Sequence, residues 1–466
     1  MFIQQLYTAC LSEAAYYIES NTEAAIIDPL RDVDQYIELA QSRGATIKYI
    51  FETHFHADFV SGHLDLANKT GATIVFGPDA VTAFKKHQAK DAEVFPLGIV
   101  TLTAIHTPGH TLESTCYLLK NEEGKEEALF SGDTLFVGDV GRPDLFSGNL
   151  SKEELAALMY DSLQKIMALP DEVKVYPAHG PGSSCGKNLG PNTHSTIGEE
   201  KRSNYALQPM DKIQFIETVT EGLSTPPAYF PVNAAMNKKG YESMEIIKNQ
   251  GLQPLNIESF KQLVSEGALI LDTRKATLFT QGFIPSAISI GLEGRFAEWA
   301  GALLPFHAPI VLVTEPGQEE ESLIRLTRVG FDQVKGFLDG GYPTWVDAGE
   351  RIDLIIDVEA DELKMDLNYD HHMIVLDVRK ELEYDNGHVK SALNIPLQSM
   401  TDIAQIVNFE DTDNIYIHCA GGYRSVIAAS LLKKHGIHNL RNVLGGFDAI
   451  KTIPGMPLVA APELMN

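Results

Sequence analysis

Thr53-His54-Phe55-His56-Ala57-Asp58-Phe59 follows directly on the apolar run Ile47–Glu52, and this junction decides the fold of the first part of the chain. A short apolar run bounded by polar residues reads as a buried strand, so two imidazoles and a carboxylate are delivered at a strand end. Three further segments repeat the arrangement, each just after an apolar run: Thr107-Pro108-Gly109-His110-Thr111, Ser131-Gly132-Asp133-Thr134-Leu135-Phe136 and Tyr176-Pro177-Ala178-His179-Gly180. Side chains released at the ends of neighbouring strands gather at one edge of a sheet. Four such segments point to a metal site.

Around these segments the pattern predicts strands at Ala15–Glu19, Ala24–Ile27, Thr73–Phe76, Val100–His106, Cys116–Leu119, Ala128–Ser131 and Val173–Tyr176. Helices are expected over Val33–Arg43 and Ser151–Leu169, the second opened by a capping box of Ser151 and Glu154. Pro226, Pro227 and Pro231 then break the pattern, and Gly222–Pro254 reads as a linker.

Beyond the linker the chain repeats itself. Leu271-Asp272-Thr273-Arg274 is echoed by Leu376-Asp377-Val378-Arg379, Gly282–Ile288 by Gly387–Leu393, and Gly340-Gly341-Tyr342 by Gly445-Gly446-Phe447, all at one offset of 105 residues. Each copy reads as a small α/β module with a mostly parallel sheet. At 466 residues the chain exceeds one ordinary core, and the expected domains are 1–240, 257–350 and 359–466.

In the second copy the strand Ile415–His418 runs into Cys419-Ala420-Gly421-Gly422-Tyr423-Arg424-Ser425, and an apolar helix follows from Val426 to His435. A cysteine between strand end and helix start meets unpaired backbone N–H groups and the positive helix end, which favour the nucleophilic thiolate. Gly421 and Gly422 let the backbone wrap the sulfur, Tyr423 lies within the same loop, and Arg424 adds a fork suited to sulfite or thiosulfate. At the same offset the first copy has Thr314 for Cys419 and Glu319 for Arg424. Without nucleophile or cation, it is expected not to transfer sulfur.

The Cys-x-x-Gly-x-Arg loop, with the upstream Leu-Asp-Val-Arg and the Gly387–Pro396 run, resembles single-domain rhodaneses. The resemblance implies a covalent persulfide on Cys419. The four histidine and aspartate segments resemble the metallo-β-lactamase superfamily, which implies an αββα fold. The usual first motif, His-x-His-x-Asp-His, ends here in Phe59 and so lacks a ligand of the second metal position. Two imidazoles and one carboxylate suit mononuclear iron(II) with positions open for substrate and dioxygen. Ser131–Phe136, Gly138–Leu145, Gly180–Asn188 and Thr196–Arg202 resemble persulfide dioxygenases within that superfamily. That resemblance implies His54, His110 and Asp133 as ligands of one Fe(II) per chain, with His56, Asp58 and His179 orienting them, and places Arg142 and Cys185 at the substrate.

Together the blocks look like a bacterial persulfide dioxygenase–sulfurtransferase fusion of sulfide detoxification. It is expected to oxidise glutathione or coenzyme A persulfide with O2 to sulfite, and to form thiosulfate through Cys419. The alternatives are a zinc thioester hydrolase of the glyoxalase II type bearing rhodanese modules, and a C-terminal half that serves as a sulfur carrier or interaction module. A formal charge of −26 opposes nucleic-acid binding. No uninterrupted apolar stretch of about 18 residues predicts a membrane span. The N-terminus lacks a signal-peptide pattern, and four scattered cysteines suit a reducing cytoplasm. Cys10 and Cys116 read as core residues on strands. No pattern sets the oligomeric state, so a homo-oligomer stays open.

Overall fold

In the first part of the chain the central strands are buried on both faces, and alternate residues of one strand serve two different cores. In Glu13–Ser20, Tyr16 and Ile18 point into one core while Ala15 and Tyr17 point into another. Thr115–Lys120 does the same, with Tyr117 and Leu119 on one side and Cys116 and Leu118 on the other. Such strands build a four-layer sandwich, and the computed structural model has that architecture. It describes residues 1–145, 150–187, 189–223, 225–401, 409–410 and 412–460.

The first sheet runs Phe2–Thr8, Glu13–Ser20, Glu23–Ile27, Thr46–Phe51, Thr73–Phe76, His87–Gln88 in spatial order. The second runs Ser195–Thr196, Lys174–Pro177, Glu126–Gly132, Thr115–Lys120, Val100–His106, Val94–Leu97. Phe51, Tyr117, Phe130 and Phe95 fill the space between the sheets. Helices Asp34–Ser42 and His63–Thr70 cover the outer face of the first sheet through Tyr36, Ala40 and Leu66. Lys152–Met167 and Lys212–Thr220 cover the second through Met159, Leu163 and Phe215. The capping box of Ser151 and Glu154 is formed as the sequence predicts. This is the αββα sandwich.

Two sequence expectations are corrected. The stretch read as a linker contains the helices Phe230–Lys239 and Met244–Gly251. Pro231 stands in the first turn of the former, where a missing N–H breaks no helical hydrogen bond. Cys10 is half-buried in the turn after Phe2–Thr8 rather than on a strand. Cys116 does lie on a strand and is buried, and that burial raises its thiol to about 11.

The repeat gives two copies of one design. The first sheet has the order Pro254–Leu255, Val334–Leu338, Ile310–Val313, Leu269–Asp272, Ile288–Ser289. The second has Ile356–Val358, Leu440–Val443, Asn414–His418, Met373–Asp377, Leu393–Asn394. All pairings in both sheets are parallel. Each copy carries the same staple: Arg274 clasps Asp272 and donates to the Gly282 carbonyl, and Arg379 clasps Asp377 and donates to that of Gly387. The chain divides into two compact units, Met1–Ile246 with Ile324–Asp332, and Ile247–Leu323 with Gln333–Asn466. Among the described residues no helix is long and apolar enough to cross a membrane.

Candidate metal centre and sulfur-handling loop

His54 leaves the end of strand Thr46–Phe51 in the first sheet, while His110, Asp133 and His179 follow Val100–His106, Glu126–Gly132 and Lys174–Pro177 in the second. The edge where the sheets meet therefore collects all of them. His54 Nε2 and His110 Nε2 lie 3.7 and 3.4 Å from the same Asp133 oxygen, Oδ2. The other oxygen, Oδ1, is 3.6 Å from His179 Nε2, which is 3.4 Å from Asp58 Oδ2. His56, Asp58 and His179 form a second grouping beside the first, and Cys185 reaches Asp133 and His179.

The far side of each ring is held. The Arg142 carbonyl lies 2.8 Å from His110 Nδ1, Thr53 Oγ1 lies 3.0 Å from His54 Nδ1, and the Ser12 carbonyl lies 3.2 Å from His179 Nδ1. Asp28 accepts from both the backbone and the hydroxyl of Thr53. Burial drives the His54 ring far towards its neutral, lone-pair-bearing form, and the neighbouring imidazoles add to this. Burial acts the same way on His56, but Asp28, 3.0 Å from its Nε2, with Glu52 and Asp58 nearby, raises it to about 9.

His54 Nε2, His179 Nε2, both Asp133 oxygens and one Asp58 oxygen are buried without a hydrogen-bond partner. Neutral imidazole nitrogens and carboxylate oxygens left bare in a dry site are donors for a cation, so these residues fit a metal ion. At the position of the missing ligand, Phe59 is fully buried, its ring 4.3 Å from that of His56.

Arg142 is buried, and its guanidinium makes two hydrogen bonds to Asp144 while its backbone N–H donates to the Cys185 carbonyl. Burial, reinforced by Asp58 and Asp133, pushes the Cys185 thiol well up. Asn188, the last residue of the Gly180–Asn188 stretch, lies outside the described residues. A cavity of about 500 Å³ opens against His110, walled by Phe55, Leu112 and Leu145 and, from the Phe230–Lys239 helix, by Ala234 and Lys238.

That helix supplies a residue with no signal in local sequence pattern. Asn237 is buried, donates 2.8 Å hydrogen bonds to the carbonyls of His56 and Phe59, and accepts one from the Ser61 N–H. It braces the loop that carries His56, Asp58 and Phe59. Asn237→Ala leaves three buried backbone groups unpaired and is expected to lower the stability of the first unit by about 3 kcal/mol, read from denaturant unfolding. A loss below about 0.5 kcal/mol would show that the loop holds itself.

In the second unit, strand Asn414–His418 ends at Cys419 and helix Tyr423–Lys434 begins four residues on. Gly422, at φ 104, turns its N–H onto Cys419 Sγ at 3.1 Å, a conformation few other residues adopt. The repeated Gly445-Gly446 pair opens the next helix, where Phe447 N–H and Asp448 N–H bind the carbonyls of Cys419 and Ala420. A side chain at Gly446 would meet those carbonyls within 2.6 Å. The Tyr423 hydroxyl donates to the Gly291 carbonyl of the first copy, and Arg424 makes two hydrogen bonds to Glu383.

A sandwich gathering histidines and aspartates at one edge, with a duplicated parallel module bearing one cysteine loop, defines a metallo-hydrolase fold joined to sulfurtransferase-type modules. Comparison with known proteins agrees. The metallo-beta-lactamase superfamily matches residues 9–179, and the rhodanese-like domain matches 256–348 and 359–452. A solved metallo-beta-lactamase from Staphylococcus aureus subsp. aureus COL is 32% identical, covering 72% of this chain and 98% of its own, with a TM-score of 0.64. ETHE1 from Myxococcus xanthus is 30% identical over 51% of this chain and 100% of its own, with a TM-score of 0.43. A hydroxyacylglutathione hydrolase from Tolumonas auensis is 36% identical over 168 residues, 35% of this chain and 60% of its own length. The first curated relatives are matched over 48% to 60% of their length. The chain belongs to the metallo-beta-lactamase superfamily and carries two rhodanese-like domains.

Proposed function

We propose that the chain oxidises thiol persulfides of the glutathione or coenzyme A type with dioxygen to sulfite at one iron(II) ion, and that Cys419 carries sulfane sulfur to sulfite. One observation supports this above the rest. His54 and His110 converge on a single Asp133 oxygen, while the apolar Phe59 ring stands where a dinuclear site needs a donor. His54, His110 and Asp133 would hold the iron(II), which would offer open coordination positions and a redox path by which the terminal sulfur of the persulfide reduces dioxygen.

The chain's own residues do the rest. The Arg142 carbonyl and the Thr53 hydroxyl fix the rings, and Phe55, Leu112 and Leu145 keep the approach to His110 apolar. Persulfide, dioxygen and water give thiol, sulfite and two protons. At the second site Cys419 Sγ bonds the terminal sulfur of another persulfide as its S–S bond breaks and the thiolate leaves. Sulfite then takes that sulfur as thiosulfate, and the thiol of Cys419 returns. Both domains on one chain raise the local concentration of sulfite near Cys419.

Lys238 and Lys239 line the mouth of the His110 cavity and suit the carboxylates or phosphates of a carrier thiol. Changing both to Ala is expected to raise KM for such persulfides about tenfold with kcat little changed, measured as oxygen uptake. An unaltered KM would remove them from substrate binding.

A second reading has its own support. Asp58 and His179 still gather beside Asp133, and a relative named hydroxyacylglutathione hydrolase is 36% identical over 168 residues. Anaerobic iron reconstitution, followed by oxygen uptake and assay of sulfite and thiosulfate, decides between them. Two zinc ions per chain with thioester cleavage and no oxygen uptake would replace the dioxygenase reading.

A further inference from the structure

Arg424 does not present an empty fork to Cys419. Both ends of its guanidinium are taken by Glu383, Nη1 to Oε2 at 2.7 Å and Nη2 to Oε1 at 2.8 Å, and its side chain is 17% exposed. Glu383 stands on the short helix Glu381–Asp385, far from the loop in sequence. A second carboxylate, Glu298 of the first module, is half-buried where it faces both Arg424 and Lys380 and pairs with Arg295.

The duplication says what this pair is for. The Asp–Arg staple recurs in both copies, with the same contacts to Asp and to a glycine carbonyl. The Glu383–Arg424 pair does not: at the same offset the first copy has Leu278 and Glu319. A module of this design therefore folds without the pair. It accompanies the cysteine, so it belongs to the chemistry of the loop.

We propose that Glu383 is a specificity-determining residue that occupies the Arg424 fork and turns the Cys419 pocket against dianionic sulfur donors. The inference rests on the reading of Cys419 as a sulfur carrier. Loading from thiosulfate would join Cys419 Sγ to its outer sulfur, break the S–S bond and release sulfite with the electron pair. The dianion must first displace Glu383 from Arg424 and then sit beside its freed carboxylate. Both oppose that direction. A thiol persulfide presents its terminal sulfur without an oxyanion beside it and needs no such displacement. Glu383 thus sets the choice of donor, persulfide over thiosulfate; discharge to sulfite is the reverse of thiosulfate loading, passes the same barrier and is slowed to the same degree.

The test uses the full chain, with Glu383→Gln and with Glu383→Leu, the residue the first module carries. Alkylation of Cys419, followed by mass spectrometry of its peptide, compares anionic iodoacetate with neutral iodoacetamide. The iodoacetate-to-iodoacetamide rate ratio is expected to rise about tenfold in both variants at low ionic strength, less in salt, and to stay at the wild-type value in Glu383→Asp. Loading from thiosulfate, read as persulfide on Cys419, should rise by a similar factor. A ratio unchanged in both variants, with iodoacetamide reacting at the wild-type rate, overturns the proposal. A raised ratio without sulfur loading from any donor leaves the gate standing and removes the carrier role of Cys419.

Discussion

Cys419→Ser is expected to abolish enzyme-dependent thiosulfate formation from persulfide and sulfite, by at least about 1,000-fold, while oxygen uptake continues. The hydroxyl is nearly isosteric and still accepts the Gly422 N–H that now meets Sγ at 3.1 Å, so the loop keeps its shape. What is lost is the nucleophile. A serine hydroxyl is not ionised near neutral pH and cannot hold a second sulfur as a labile S–S bond. Sulfite should then accumulate in place of thiosulfate. Thiosulfate formed at the wild-type rate would mean that sulfur reaches sulfite without passing through this loop.

Asp133→Asn is expected to lower bound iron at least about 100-fold in affinity and to eliminate oxygen uptake, with sulfur loading of Cys419 from added persulfide preserved. Among the described residues Asp133 is the carboxylate that groups with His54 and His110, and both its oxygens are buried without hydrogen-bond partners. In the metal-free protein that bare carboxylate opposes folding, so the amide should leave metal-free stability equal or higher. Metal content by plasma spectrometry and thermal unfolding with chelator separate the two effects. Full iron occupancy in Asp133→Asn would refute the ligand set His54, His110 and Asp133.

Much of this was legible because strands with two buried faces announce themselves. Glu13–Ser20, Thr73–Phe76 and Val100–His106 are continuous or alternating apolar runs, and ligands placed at such ends need no further signal. The repeat was equally open, since one offset aligned staple, loop and glycine pair. The helix Phe230–Lys239 was hidden for a physical reason. It buries Asn233 and Asn237 where an amphipathic helix would bury leucines, and Pro231 in its first turn, with Pro226 and Pro227 before it, reads as a breaker. Asp28 and Asn237 act on the His54–Phe59 loop across long sequence separations, which no local pattern encodes. Arg142 meets His110 through its backbone carbonyl, while its guanidinium is clasped by Asp144 two residues on.

The residues proposed to hold the metal follow strands of different sheets: His54 the first, His110 and Asp133 the second. Neither half of the sandwich alone carries a complete set. A cation gripped by all three acts as a rivet across the seam, and its binding strength includes the work of closing the two halves. Occupancy and cohesion of the sandwich are then linked, so an ion bound there would also resist separation of the two sheets.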